Sequence, residues 1–325
     1  MRSADPSILK ATVARLAWAA MFYVATIAGA AAAACSASVE PLSFGNVDTL
    51  EGMSFDGVAQ VSISCDGVTD TATTVTVCGN FGAGSGGAAG GMRRMLSGAQ
   101  ALDYQLYGDS GRSASWGAFD ETSLGQPQAI QLPVSDGTAN GEMTLYGAVA
   151  AGQTTAATGT YLSTFSGADA SFYYAEGSTL NCSAPTSGTL TQAAFTVDAA
   201  VAANCLIVVD DIDFGIQGII DSEVTATGGI DVTCTPGTAY TITMDGGLTG
   251  AANPEQRLMQ SGADAIAYGL YSDPGHSLPW GVTAATQVEG TGDGGQQSIA
   301  VYGRIGPQPA ATGQYSDTVV VTITY

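Results

Sequence analysis

Positive charge is nearly missing from this chain. Its 325 residues carry 8 Lys and Arg against 29 Asp and Glu, with one histidine and a formal net charge of −21. The only lysine is Lys10, and five arginines remain beyond residue 34. Nucleic acid is therefore excluded as a partner, because Lys and Arg are what neutralise phosphates. An anionic membrane surface would repel the chain as well. With His276 alone and no lysine past residue 10, the usual proton-transfer and nucleophile pairs are absent. No acidic pair stands out for glycoside cleavage among the many acids at turns.

Other signatures are incomplete. No two of the six cysteines have the two- to four-residue spacing of a zinc site. Asp210, Asp211 and Asp213 lack the glycine and terminal glutamate of a calcium loop, which leaves a solvated strand edge. Gly82, Gly84 and Gly87 satisfy G-x-G-x-x-G, but Ala88-Ala89-Gly90-Gly91 follows in place of a helix start, so a flexible loop is expected. The reading is of a protein that is not an enzyme and uses no cofactor or metal.

Long apolar runs are scarce too. The single one, Leu16–Ile27, follows Arg2, Lys10 and Arg15 and precedes Ala32-Ala33-Ala34, a small-residue cleavage site. Residues 1–34 are expected to be an export signal. An anchor is disfavoured because no positive stop-transfer cluster follows. A lipid-modified Cys35 is disfavoured because Ala32, not leucine, stands three places before it. No second stretch approaches membrane-spanning length.

What is abundant is Gly, Ala, Thr, Val and Tyr, the composition of short strands joined by tight turns. The length suits two domains. Two similar blocks are indeed present. Cys35 lies nine residues before Phe44-Gly45, and Cys205 nine before Phe214-Gly215. Cys65 and Cys234 each end an alternating run. Arg94-Met95 matches Arg257-Leu258, and the run Leu102–Tyr107 matches Ile266–Tyr271. Nine residues separate Tyr107 from Trp116, and Tyr271 from Trp280. Tyr146-Gly147 and Tyr302-Gly303 precede Gly159-Thr160-Tyr161 and Gly313-Gln314-Tyr315. This is a tandem duplication, and each half shows the alternating runs of an antiparallel sandwich. The fold class expected is all-β.

The halves differ at their ends. The second finishes on the alternating run Val319, Val321, Ile323, Tyr325. The first reaches the equivalent tyrosine, Tyr174, and then adds Thr189–Val201, in which Ala193, Phe195, Val197, Ala199 and Val201 recur at the period of a strand burying one face. The first domain, residues 35–202, is thus expected to carry its closing strand at 189–201. The second, residues 203–325, is expected to lack one. Six cysteines allow 15 pairings. The repeat favours Cys35–Cys65 and Cys205–Cys234, which leaves Cys78 with Cys182.

Together, a Cys with Phe-Gly nine residues on, a second Cys ending a strand, Arg-x-Met or Arg-Leu-Met, Leu-x-Tyr-x-Leu-Tyr-x-Asp, Trp-Gly and Tyr-Gly resemble the spore coat protein U-like domain. This is the pilin domain of archaic chaperone–usher pili, and the resemblance covers nearly the whole chain past the leader, twice. It implies two immunoglobulin-like sandwiches, the C-terminal one lacking its final strand. It implies that a periplasmic chaperone and then an adjacent pilin subunit supply that strand, with an outer-membrane usher as the third partner. Phe195–Asn204 has the character of a donor strand ahead of Cys205, but nothing comparable precedes Cys35 after cleavage. Such a subunit would occupy only the end of a fibre that assembles first, where two-domain members of the family are tip adhesins. The export route would run through the periplasm to the cell surface. A structural coat or pilus protein without specific adhesion is the competing function.

Loop lengths suggest where a surface could be met. Val77 to Arg94 spans 17 residues against 13 from Met244 to Arg257, and Trp116 to Tyr146 spans 30 against 22 from Trp280 to Tyr302. The extra residues are expected in the loops Asn80–Met92 and Ala118–Asn140. Phe81, Met92, Phe119 and Leu124 are the candidate contacts with a hydrophobic surface, since family tip adhesins present apolar loops.

Overall fold

The structure, a computed structural model, describes residues 33–325, so the expected export signal falls almost wholly outside it. Those residues form strands joined by turns and three short 3-10 turns. The first sandwich opens with β1 (Ala34–Val39), β2 (Leu42–Val47), β3 (Phe55–Asp66) and β4 (Thr74–Phe81). The short β5 (Ala88–Ala89), β6 (Met92–Ser97), β7 (Gln100–Tyr107), β8 (Gln128–Ser135) and β9 (Thr138–Val149) follow. β10 (Gly159–Phe165), β11 (Ala170–Glu176), β12 (Thr189–Gln192) and β13 (Phe195–Val201) complete it. One sheet runs β1-β3-β9-β7-β6-β10-β13-β2 and the other β12-β11-β4-β8.

The second sandwich begins with β14 (Cys205–Val209), β15 (Val224–Cys234), β16 (Ala239–Met244) and β17 (Arg257–Ser261). It ends with β18 (Asp264–Tyr271), β19 (Val288–Thr291), β20 (Gln296–Ile305) and β21 (Val321–Thr324). Its sheets are β14-β15-β20-β18-β17 and β19-β16-β21. Each sandwich has its own apolar core, filled by the inward half of each alternating strand.

Three pieces of side-chain chemistry superpose the halves. The Trp116 indole donates to the Gly79 carbonyl at 2.8 Å, and the Trp280 indole to Ile242 at 2.9 Å. Arg93, fully buried, donates to the carbonyls of Gly82, Phe81 and Trp116, while Arg257 donates to those of Asp245, Met244 and Trp280. Asp109 accepts from the backbone of Ser113 and Ala114, as Asp273 does from Ser277 and Leu278. Each buried guanidinium ties one sheet to the Trp-Gly turn through donors that a neutral side chain could not replace in number. Burial lowers the Arg93 pKa to about 10.

The expected register therefore shifts by one residue. The counterpart of Arg257 is Arg93, paired across to Tyr104 as Arg257 is to Tyr268, and Arg94 answers to Leu258. A one-residue slip in a strand exchanges inward and outward faces. With Phe81 then equivalent to Met244, 12 positions separate Phe81 from Arg93, against 13 from Met244 to Arg257. The glycine loop is not longer in the first half. Nor is it loose: Gly82 N bonds to Asp169 O, Ser85 N to Thr164 O, and Arg94 N to Gly87 O. A Cβ on Gly86 would lie 1.8 Å from the Arg94 carbonyl oxygen, which explains a glycine there. The other length difference is real. It includes the long β8–β9 hairpin, whose turn at Asp136-Gly137 receives a hydrogen bond from Val68 N.

Disulfides join Cys35 to Cys65 and Cys205 to Cys234, each across directly paired strands. A third, Cys78–Cys182, ties β4 to the segment between β11 and β12.

Candidate strand-acceptor groove

β13 shows how a closed groove is built. It lies between β10, antiparallel in the register Phe195↔Phe165 to Val201↔Gly159, and β2, parallel. Phe195, Val197, Ala199 and Val201 are buried, and the Phe195 ring stacks on Phe165 with centroids 4.5 Å apart. Ala193 is half-buried against the same core. Outward, Asp198 accepts a hydrogen bond from the Ser43 hydroxyl at 2.8 Å. One Phe and two Val with two Ala on the inner face are worth roughly 5–10 kcal/mol. Ladder hydrogen bonds add about 1 kcal/mol each.

The second sandwich keeps both banks of this groove without the strand between them. The counterpart of β10 is Gly313–Val319, where the Tyr315 hydroxyl donates to Ala311 O as that of Tyr161 does to Ala157 O. The counterpart of β2 is Ile212–Gln217. A Cβ on Gly303 would lie 2.8 Å from the Phe214 ring, just as one on Gly147 would lie 2.8 Å from Phe44. Neither bank is in a ladder; the first retains one isolated bridge, Gln260↔Ser316. The sheet stops at β17, where in the first half three more strands follow β6.

Exposure follows the gap. Leu42, Phe44, Met95, Tyr161 and Phe165 are buried, whereas their counterparts Ile212, Phe214, Met259, Tyr315 and Val319 are only half-buried. Ile216 is fully exposed, Ile219 is 91% exposed and Val320 56%. Among the described residues, ten large hydrophobic side chains are exposed from Leu206 onward against five before it, which places the unsatisfied apolar surface on the second sandwich.

Of the C-terminal residues singled out in the sequence, Val319 stands on the groove bank. Val321 and Ile323 lie on β21, which pairs with β16 on one side and leaves its other edge free; in the first half β12 covers that edge of β11. Tyr325 is exposed, its hydroxyl donating to Asn204 Oδ1 at 3.2 Å. Sequence reasoning missed Ile212, Phe214, Tyr315 and Asp317, although the Phe-Gly and Gly-x-Tyr repeats marked their neighbourhoods.

Asp317 faces inward between Tyr315 and Val319. Its Oδ2 accepts from the Tyr268 hydroxyl at 2.7 Å, and its Oδ1 from the backbone N–H groups of Leu248 and Thr318. Burial, reinforced by the Asp317 hydrogen bond, pushes the Tyr268 phenol well above its usual range. The first half has Ser163 in this place, fully buried beside Tyr104.

The candidate surface-contact residues do not form a site. Phe81 is fully buried, its ring 4.8 Å from that of Trp116, and Leu124 is buried as well. Both point inward because the segments that carry them pack under the Trp-Gly turn. Phe119 is half-buried with its ring 5.6 Å from Tyr173, and Met92 is half-buried at the start of β6. Among the described residues, no cluster of His, Cys, Asp and Glu is arranged to hold a metal.

A sequence profile of the Spore Coat Protein U domain matches residues 21–167 and 191–322, so the chain belongs to that family. Protein U of Myxococcus xanthus is 32% identical over 117 residues, which are 34% of this chain and 65% of that protein. The match therefore spans just under two thirds of the relative's length. Among solved structures, one chain of the CsuC–CsuE chaperone–tip adhesion subunit pre-assembly complex, from archaic chaperone-usher Csu pili of Acinetobacter baumannii, superposes with a TM-score of 0.52. It shares 17% identity over 90% of this chain and 100% of that one, which is a likeness of fold. The CupB6 tip adhesin from Pseudomonas aeruginosa gives a TM-score of 0.39 at 12% identity, covering 90% of this chain and 94% of that one.

Proposed function

We propose that this chain is the tip subunit of an archaic chaperone–usher pilus, exported through the periplasm and displayed at the cell surface to attach it. One observation carries the reading: the first sandwich is closed by β13, and the second holds both banks of the same groove with no strand between them. A chaperone strand, and then the extension of the adjacent subunit delivered at the usher, would fill that lane. The stretch before Cys205 that could serve as a donor is already buried in the first sandwich. A leader cleaved after Ala34 would leave nothing ahead of Cys35 to donate, which suits the end of a fibre. The domains would divide at about residues 202–203, between the two sets of strands.

The test is co-expression with a candidate periplasmic chaperone, followed by hydrogen-exchange mapping of the complex. Protection should appear on Ile212–Gln217, Gly313–Val319 and β21. Protection confined to the first sandwich would overturn the reading. Amino-terminal sequencing of the exported protein and electron microscopy with a labelled chain test the tip position. Attachment of cells lacking this chain tests adhesion.

A further inference from the structure

The closed groove of the first sandwich is a template for what the open one accepts. There, β13 sets Val197 opposite Ser163, and Ala199 and Phe195 opposite Tyr161 and Phe165. In the second sandwich the same row reads Tyr315, Asp317, Val319. An incoming strand therefore meets a carboxylate at its centre, where the first sandwich offers a small hydroxyl. Asp317 Oδ1 is satisfied by two N–H groups, but Oδ2 holds one hydrogen bond, from Tyr268, and keeps room for another donor. Ser163 is fully buried once covered, and Asp317 would be too. A carboxylate taken out of water with an open acceptor position opposes binding unless the partner brings a donor.

On the reading that the groove receives a strand from another protein, we propose that Asp317 selects that strand. It favours a hydroxyl side chain, threonine or serine, at the position facing it, and rejects this chain's own Phe195–Val201. Threonine has the branched shape of Val197, which fits this position in the first sandwich, and adds an O–H donor. The apolar positions on either side remain as in β13. The same carboxylate keeps a second copy from closing the groove, because β13 in trans would press Val197 against it.

The experiment extends the full chain after Tyr325 with a Gly/Ser linker and a copy of Phe195–Val201. A second extended chain carries Val197→Thr in the appended copy only. Hydrogen exchange in β18 and β20 is then read with and without Asp317→Ser, a change that reproduces the first sandwich. The threonine strand should give about ten-fold or more higher protection than the valine strand, and Asp317→Ser should erase the difference. Equal protection from the two strands, or a threonine advantage that survives Asp317→Ser, overturns the selection. Failure of both strands to protect β18 and β20 above the unextended chain removes the acceptor groove itself, and the selection with it.

Discussion

The two sandwiches share a buried arginine, a tryptophan that hydrogen-bonds the opposite sheet, a cross-strand disulfide and an aspartate-capped turn, yet one is closed and the other open. The difference is 13 residues, Thr189–Val201, which supply β12 to one sheet and β13 to the other. Removing β13 does more than subtract a strand. Its two neighbours, β10 and β2, exist as strands largely because β13 lies between them, and their counterparts at Gly313–Val319 and Ile212–Gln217 are left in place without ladders. An edge is thus created along with an apolar cleft, the combination that strand addition exploits.

The comparison breaks most violently if β13 is spoiled. The double substitution Phe195→Asp and Val197→Asp should erase roughly 5–10 kcal/mol, comparable with a domain's whole stability. Limited proteolysis should then cut the first sandwich at protease levels that spare it in the parent chain. Next comes the staple that only the first half possesses. Cys78→Ser with Cys182→Ser opens a loop whose cysteines are 104 residues apart, a loss of about 4–5 kcal/mol on the chain-entropy model. Denaturant titration should show it in the first sandwich alone, and an equal loss in the second would contradict the separate cores.

Where the halves agree, they should fail alike. Arg93→Leu and Arg257→Leu each orphan buried carbonyls and should destabilise their own sandwich by about 3–5 kcal/mol. The loss should be smaller for Arg257, whose surroundings are more open. The least effect is expected at Asp109. The backbone N–H of Ala114, with the Ser113 hydroxyl, holds its carboxyl below the usual range. A depressed folded-state pKa adds stability above the unfolded value, and that stability is lost as pH falls through the folded one. Asp109→Asn should therefore lower stability slightly at neutral pH and flatten the acid limb of the stability curve, with parent and variant converging at low pH.

Much of this was readable beforehand where the signal was periodic or repeated. The alternation of Phe195, Val197, Ala199 and Val201, the paired cysteines and the recurrent Trp-Gly announced strands, duplication and a closing segment. The loop comparison went astray at Met92-Arg93-Arg94-Met95, where two adjacent arginines allow either register. Nothing local says which one is buried; only the carbonyls of Phe81, Gly82 and Trp116, brought together from two separate segments, choose Arg93. Phe81, Leu124 and Phe119 looked like loop apolars for the same reason, since their partners are distant in the chain.

Period-two patterning and the order of the cysteines were enough to specify two sandwiches with one spare strand, because both follow from backbone geometry and from duplication. That both banks of the second sandwich's groove stay uncovered, and that a carboxylate stands on one of them facing inward, depended on strand pairing between segments about 80 residues apart. Side chains acquire an inside only when such pairing decides what covers them.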